Sequence, residues 1–515
     1  MTAAAEHRAG PGQAEPGAVD GSGSQARSAS GTAGLAAGAA GSAGTASGSA
    51  AGSSAPVRAA APADPAAPGR SGLRWAARVA GAAVLTLAAA GGLLALGPAG
   101  PFAPFGADRA AAPLPPPPAA ADPLAAARSA VQGSPQDSYV WVQLGQAQLD
   151  RARLTLDAGA LADAERAFQR SLELKPEQNY GALVGLGMLA NARHDFGAAR
   201  QAGQRATAMA PDRPSGYLVL TDAEIQLGDY PAATAAAQRL LDLAPTVPGW
   251  TRAAYDLETH GRAEEAGIAL RRALDSAQTP GDSAFCEHRL GDLAWDHGQL
   301  VEAAEHYRRA LAAAPDDYYA RAGQARVLAA TGQPAQALRE YQELVARVPL
   351  PQFLLEFAEL RLAQGQQTEA ADQFAVLAGQ VTLLESAGGA VDPALMLYQA
   401  DHADPAVAVR LLRAEWERRK SVLVADALGW ALHRAGQDEE AIALLGQAAA
   451  TDWHNPLFAY HRGAVEAALR RTDAARADLR EALALNPRFS PYQAPLAQRL
   501  LAALDSGAAT GNSSS

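Results

Sequence analysis

Prolines at positions 176, 211, 245, 280, 315 and 349 stand 34 or 35 residues apart. Proline lacks an amide donor and clashes with the turn before it, so each should close a helix. A break at so constant an interval confines the chain to a stack of small helical units, none large enough to bury a core alone. The unit is clearest between Ala284 and Asp317. Leu290, Gly291, Ala294 and Trp295 mark one helical face, which Gly298 ends. Ala303, Tyr307, Ala310 and Leu311 mark a second, which Pro315 closes. Gly291 and Ala303 let two backbones approach where a Leu would hold them apart, and Tyr307 fills the space beside them.

The same marks return in phase along the chain. Trp141, Gly145, Ala164 and Phe168 belong to the first unit, with an insertion of about seven residues between its halves. Later units carry Gly187 and Ala199, Gly228 and Ala233, Gly261 and Ala266, Gly332 and Tyr341, and Gly365 and Phe374. The register weakens between residues 381 and 421, where Ala394 to Ala400 and Ala408 to Glu417 still read as a short pair. Two clear units follow, around Gly429 and Ala441 and around Gly463 and Ala475, and residues 491–505 read as a polar-faced capping helix.

This pattern resembles the tetratricopeptide repeat, a helix-turn-helix of about 34 residues. The resemblance implies an all-α superhelical solenoid of about ten helical pairs over residues 124–505, with first helices lining a concave groove that holds a protein or peptide partner. Residues 189–200 (LANARHDFGAAR) and 426–442 (DALGWALHRAGQDEEAI) are also similar to exported or membrane-anchored repeat proteins of actinobacteria.

Residues 1–70 are almost entirely Ala, Gly, Ser and Pro, too poor in large apolar side chains to offset the entropy of ordering, and are expected to be disordered. Within residues 75–97, Arg78 is followed by the uncharged run Val79 to Gly97. As a helix this run spans about 28 Å, the thickness of a hydrocarbon core. With Arg70, Arg74 and Arg78 on its N-terminal side, it is expected to be a single-pass anchor, N-terminus inside and repeats outside. A cleaved signal segment, giving a secreted protein, is the alternative. Residues 98–123 form a Pro-rich linker with Pro115 to Pro118 at its centre, and residues 506–515 a disordered tail.

The net charge of -11 is carried by the repeats, where residues 121–505 hold 36 basic and 49 acidic side chains. Such a surface repels nucleic acid. Cys286, the single cysteine, leaves no intrachain disulfide. Groove residues expected from the register are Asp222, Phe285, His288, Asp292, Trp295, Arg326, Trp430, His433, Arg434 and Tyr460. Rings mixed with charges of both signs suit an extended or helical partner segment. Family members that grip a C-terminal carboxylate do so with Lys and Asn; here only Asn191 matches in kind, which argues against that mode. His288, His297 and His306 raise a divalent-metal site, but their spacing matches no metal motif. Gly185, Gly187 and Ala190 match a dinucleotide loop without the strand it requires. No constellation for catalysis and no cofactor motif is found. The sequence thus reads as a non-catalytic, membrane-anchored scaffold for assembly or regulation of an envelope complex such as a transporter. A metal-binding accessory protein and a self-associating scaffold are the alternatives.

Overall fold

The computed structural model describes residues 122–507 except Leu156 and Gly388. The leader of residues 1–70, the segment of residues 75–97, the linker up to residue 121 and the tail from residue 508 lie outside the described residues. Among the described residues there are 22 helices and no strand. None of these helices is long and apolar enough to cross a membrane.

Helix α1 (Pro123–Gly133) precedes the repeats, its first turn capped by the Asp122 side chain. Ten antiparallel pairs follow. They are α2 (Ser138–Thr155) with α3 (Ala158–Leu174), α4 (Tyr180–Ala192) with α5 (Phe196–Met209), and α6 (Pro214–Leu227) with α7 (Tyr230–Leu243). Next come α8 (Val247–Thr259) with α9 (Ala263–Asp275), α10 (Pro280–Asp296) with α11 (Leu300–Ala313), and α12 (Tyr318–Ala330) with α13 (Pro334–Arg347). Then α14 (Pro351–Ala363) packs on α15 (Gln367–Ala387), and α16 (Pro393–His402) on α17 (Pro405–Arg418). The last pairs are α18 (Val422–Arg434) with α19 (Asp438–Ala449) and α20 (Pro456–Ala468) with α21 (Thr472–Leu485). Helix α22 (Gln493–Asp505) covers the end.

Helix starts follow local chemistry. Asp157, Asn179, Asp195, Asp229 and Asp317 each accept a hydrogen bond from a first-turn amide, satisfying a donor that the helix leaves open. Pro280 corrects the reading of the closing prolines. It does not end α9, which stops at Asp275, but opens α10 at its first position behind a Thr279–Asp282 capping box. Proline fits there because its missing amide would have had no helical partner.

In the first and fifth pairs the close approach is set by a ring on the second helix, and in the last two by Leu445 and Leu479. A Cβ at Gly291 would stand 2.6 Å from Tyr307 Cε1, and one at Gly323, in the next unit, would be closer still. Tyr307 and Ala303 are fully buried. Phe168 fills the same wedge between Gly145 and Gly185.

The stack winds until it meets itself. The Lys420 amide donates to the Leu227 carbonyl (3.1 Å), Arg419 Nη1 to Gln226 (2.8 Å), and the Val422 amide to the Tyr230 hydroxyl (2.9 Å). One unit further on, a Cβ at Gly261 would meet the Asp452 carbonyl. Beyond that, Asn486 Nδ2 donates to the Trp295 carbonyl at 2.7 Å. The hydrogen-bonded side-chain pairs are separated by 191 to 193 residues, so this separation measures one turn of the superhelix.

Candidate partner-binding channel

Because the turns touch, the concave face of the middle units is covered. The first helices α8, α10, α12 and α14 supply one wall, α16 and α18 a second, and residues 453–458 and 487–498 close over them. The cover is tied down at successive helices. Besides Asn486, Arg488 donates to the Ala330 carbonyl at the end of α12. Ser490 Oγ donates to Glu359 on α14 (3.5 Å), and Gln493 Nε2 to Asp401 on α16 (2.9 Å). A cavity of about 580 Å³ remains beneath.

His288, Asp292, Trp295 and Arg326 line this cavity; the other six expected groove residues do not. Asp222 is buried between α6 and α8, where Arg252 grips both of its oxygens at 2.6 and 2.7 Å. Phe285 is buried with its ring edge-on to His288 at 5.0 Å. Trp430 lies stacked on His461 at 4.2 Å and donates to Asp401 at 3.1 Å, with Tyr460 buried beside it. His433 Nδ1 sits 2.6 Å from Asp438, and Arg434 reaches Asp401 at 3.2 Å. Asp222, Trp430 and Arg434 join neighbouring repeats and Phe285 and His433 pair within their own, so the expected groove residues are divided between the channel and these contacts.

The channel's charges run in a ladder from one first helix to the next. Glu258 on α8 accepts from Arg289 on α10 (2.9 Å), and Arg289 also reaches Asp292 (3.4 Å). Asp292 in turn holds Arg326 on α12 (3.2 Å) and accepts from the Tyr307 hydroxyl (2.8 Å). Glu356 accepts from the Tyr341 hydroxyl at 2.8 Å, and Glu359 lies 3.2 Å from His402. Burial raises the Glu258 and Glu359 carboxyls above the usual range. Asp296 is pushed up to about 7 by burial and by the like charges of Glu258 and Asp292.

The three histidines of the metal alternative do not converge. His288 Nδ1 lies 3.2 Å from Asp317, His297 Nδ1 2.9 Å from the Leu293 carbonyl, and His306 Nδ1 2.6 Å from Glu287. Among the described residues no three His, Cys, Asp or Glu side chains come together as a metal site. Cys286 is fully buried, and burial drives its thiol up to about 12.

Glu258, Arg289, Asp296, Glu356, Trp453 and Phe489 belong to the channel and were absent from the sequence reading. Part of the ladder had a legible signal. Glu258–Arg289 and Asp292–Arg326 are acid-then-arginine pairs separated by 31 and 34 residues, about one repeat, as Asp222–Arg252 outside the channel is by 30. Trp453 and Phe489 had none, because they arrive from a full superhelical turn away.

The tetratricopeptide repeat model matches residues 149–214, 288–349 and 323–381. Cellulose synthase 1 operon protein C of Komagataeibacter xylinus is 28% identical over 233 residues. The match covers 44% of this chain and only 15% of that protein's length. Among solved structures, a thermophilic TPR protein of Thermus thermophilus is 23% identical, covering 37% of this chain and 98% of its own, with a TM-score of 0.32. A tetratricopeptide repeat protein of Parabacteroides merdae is 16% identical, covering 45% and 91%, with a TM-score of 0.35.

Proposed function

We propose that this chain of tetratricopeptide repeats is a non-catalytic scaffold that assembles or regulates a complex at the cell envelope by holding a segment of a partner protein. The observation that carries the reading is the channel itself, a preformed cavity of about 580 Å³ with ionic groups and rings on facing walls. A site held by buried inter-repeat ion pairs loses little conformational entropy on binding, which favours recognition over chemistry. In this reading Val79 to Gly97 is the membrane anchor and the repeats lie outside, where the anchor concentrates whatever they bind. The similarity to a protein named for a cellulose synthase operon is in keeping with a scaffold, and a transporter is one envelope complex such a scaffold would serve.

The test is crosslinking in the native cell, recovery of the full-length tagged chain and mass spectrometry. Two variants accompany it: Trp295→Ala in the channel wall, and Val301→Ala at a position 87% exposed on α11. One envelope protein recovered in near-equal amount, lost in the first variant and kept in the second, is the expected result. Recovery of this chain alone, unchanged by either substitution, would replace the reading with self-association.

A further inference from the structure

At one end of the channel carboxylates cluster around a pair of guanidinium groups. Glu258, Asp292 and Asp296 converge there on two guanidinium groups, and both guanidiniums are already engaged. Arg289 is held by Glu258 and Asp292, and Arg326 by Asp292. Among the described residues Asp296 makes no direct hydrogen bond or ion pair, and the Arg326 and Arg289 charges only partly offset its burial and the carboxylates beside it, although it lines the cavity. Arg326 Nε, buried in the same wall, also lacks an acceptor.

Helix geometry adds to this clustering of negative charge. Asp296 is the last residue of α10 and Glu258 the penultimate residue of α8, and neither helix has a basic residue in its last turn. Helix C-termini carry a partial negative charge and ordinarily attract cations, so two such ends bearing carboxylates deepen the negative potential. The rest of the cavity wall includes Tyr319, Trp453, Phe458 and Phe489. Trp453 stands edge-on to Tyr255 (5.7 Å) and to Phe458 (5.5 Å), which fixes its ring at the wall.

We propose that the channel binds an organic cation, a guanidinium or alkylammonium group, with the Asp296 carboxylate as its counter-ion. A compact divalent metal is a poor fit, because it needs several converging oxygens and no three ligating side chains converge among the described residues. A flat or extended organic cation needs one carboxylate for its charge and ring faces for its bulk. The site stands without the scaffold reading, which adds only that the group arrives on an Arg or Lys side chain of the partner.

In the empty channel a proton takes the cation's place. The folded chain keeps Asp296 protonated up to about pH 7. The unfolded chain releases that proton near an ordinary carboxylate pKa of about 4. The folded state therefore holds more protons between these values. Asp296 contributes fully below about pH 4, and its contribution is lost as the pH rises to about 7. A bound cation takes over as the proton leaves, so its binding strengthens over the same rise.

Calorimetry on the full chain would use two probes, agmatine and the peptide acetyl-Ala-Arg-Ala-amide, each at about pH 6 and about pH 8. Binding is expected to be tighter at the higher pH, to release a proton near neutrality, and to weaken at least about tenfold in Asp296→Asn. Asp473→Asn, fully exposed on α21, should leave it unchanged. Asp296→Asn should also flatten the fall in melting temperature with pH, a readout independent of ligand. Binding of agmatine alone assigns the site to free amines; binding of both assigns it to a side chain reaching in. Each supports the site. Absence of heat and of any thermal shift with either probe at about 10 mM would overturn it, as would full affinity in a folded Asp296→Asn.

Discussion

Units one and two and units five and six are built on the same wedge, and one oxygen atom separates them. In the first, the Phe168 ring lies between Gly145 and Gly185; in the second, the Tyr307 ring lies between Gly291 and Gly323. Both rings are fully buried, and both exclude a Cβ from the glycine they cover. The Tyr307 hydroxyl, however, emerges at Asp292 in the channel wall. The residue after Gly145 is Gln146, whose amide is spent on Asp150 at 3.1 Å. The two wedges thus share one packing device, and a single polar tip converts the second into a support for the channel.

Removing the rings tests whether the wedges are equivalent. Phe168→Ala and Tyr307→Ala should each cost about 3–5 kcal/mol in urea unfolding. A loss confined to one of them would break the equivalence. Filling the glycines asks the same from the other side: Gly185→Ala and Gly323→Ala should each cost up to about 3 kcal/mol, since the rings have no free space into which to move. Tyr307→Phe isolates the difference. It should cost about 1.5 kcal/mol, the low end for a hydrogen bond to a charged group, because Asp292 keeps both arginines. Hydrogen exchange should place that loss in α10 and α12 and leave α2 and α4 untouched. Gln146→Ala should change stability by less than about 0.5 kcal/mol, as expected of a half-exposed side chain bonded within its own helix. A loss as large as that of Tyr307→Phe would mean that the first wedge has a polar role too.

The wedge was legible in the sequence because each of its parts lies within one repeat of the others. The Gly-to-ring spacing and the glycine turns are local chemistry, and the structure shows them where the residues placed them. Even the misread Pro280 was a local ambiguity, since proline both closes a helix and opens one. The groove fared differently. Trp430 and Tyr460 have the register of a concave face, yet they are buried between units. His461 is also fully buried there, with Nδ1 2.9 Å from Asp426. Repeat position alone does not distinguish a ring that faces a partner from one that faces the next repeat.

The sequence by itself determined the period, the ten pairs, the cap and the kind of side chain at each packing position. These depend on helix breaks and neighbour contacts at most one repeat away. Only the tertiary structure decided that the solenoid returns upon itself after 191 to 193 residues, that residues 486–493 cross the concave face, and that Asp296 faces a cavity with no direct hydrogen bond or ion pair among the described residues. The physical reason is accumulation. Each repeat adds a small rotation set by how its side chains pack on the next, and the closure of the turn is the sum of those rotations, which no single repeat encodes.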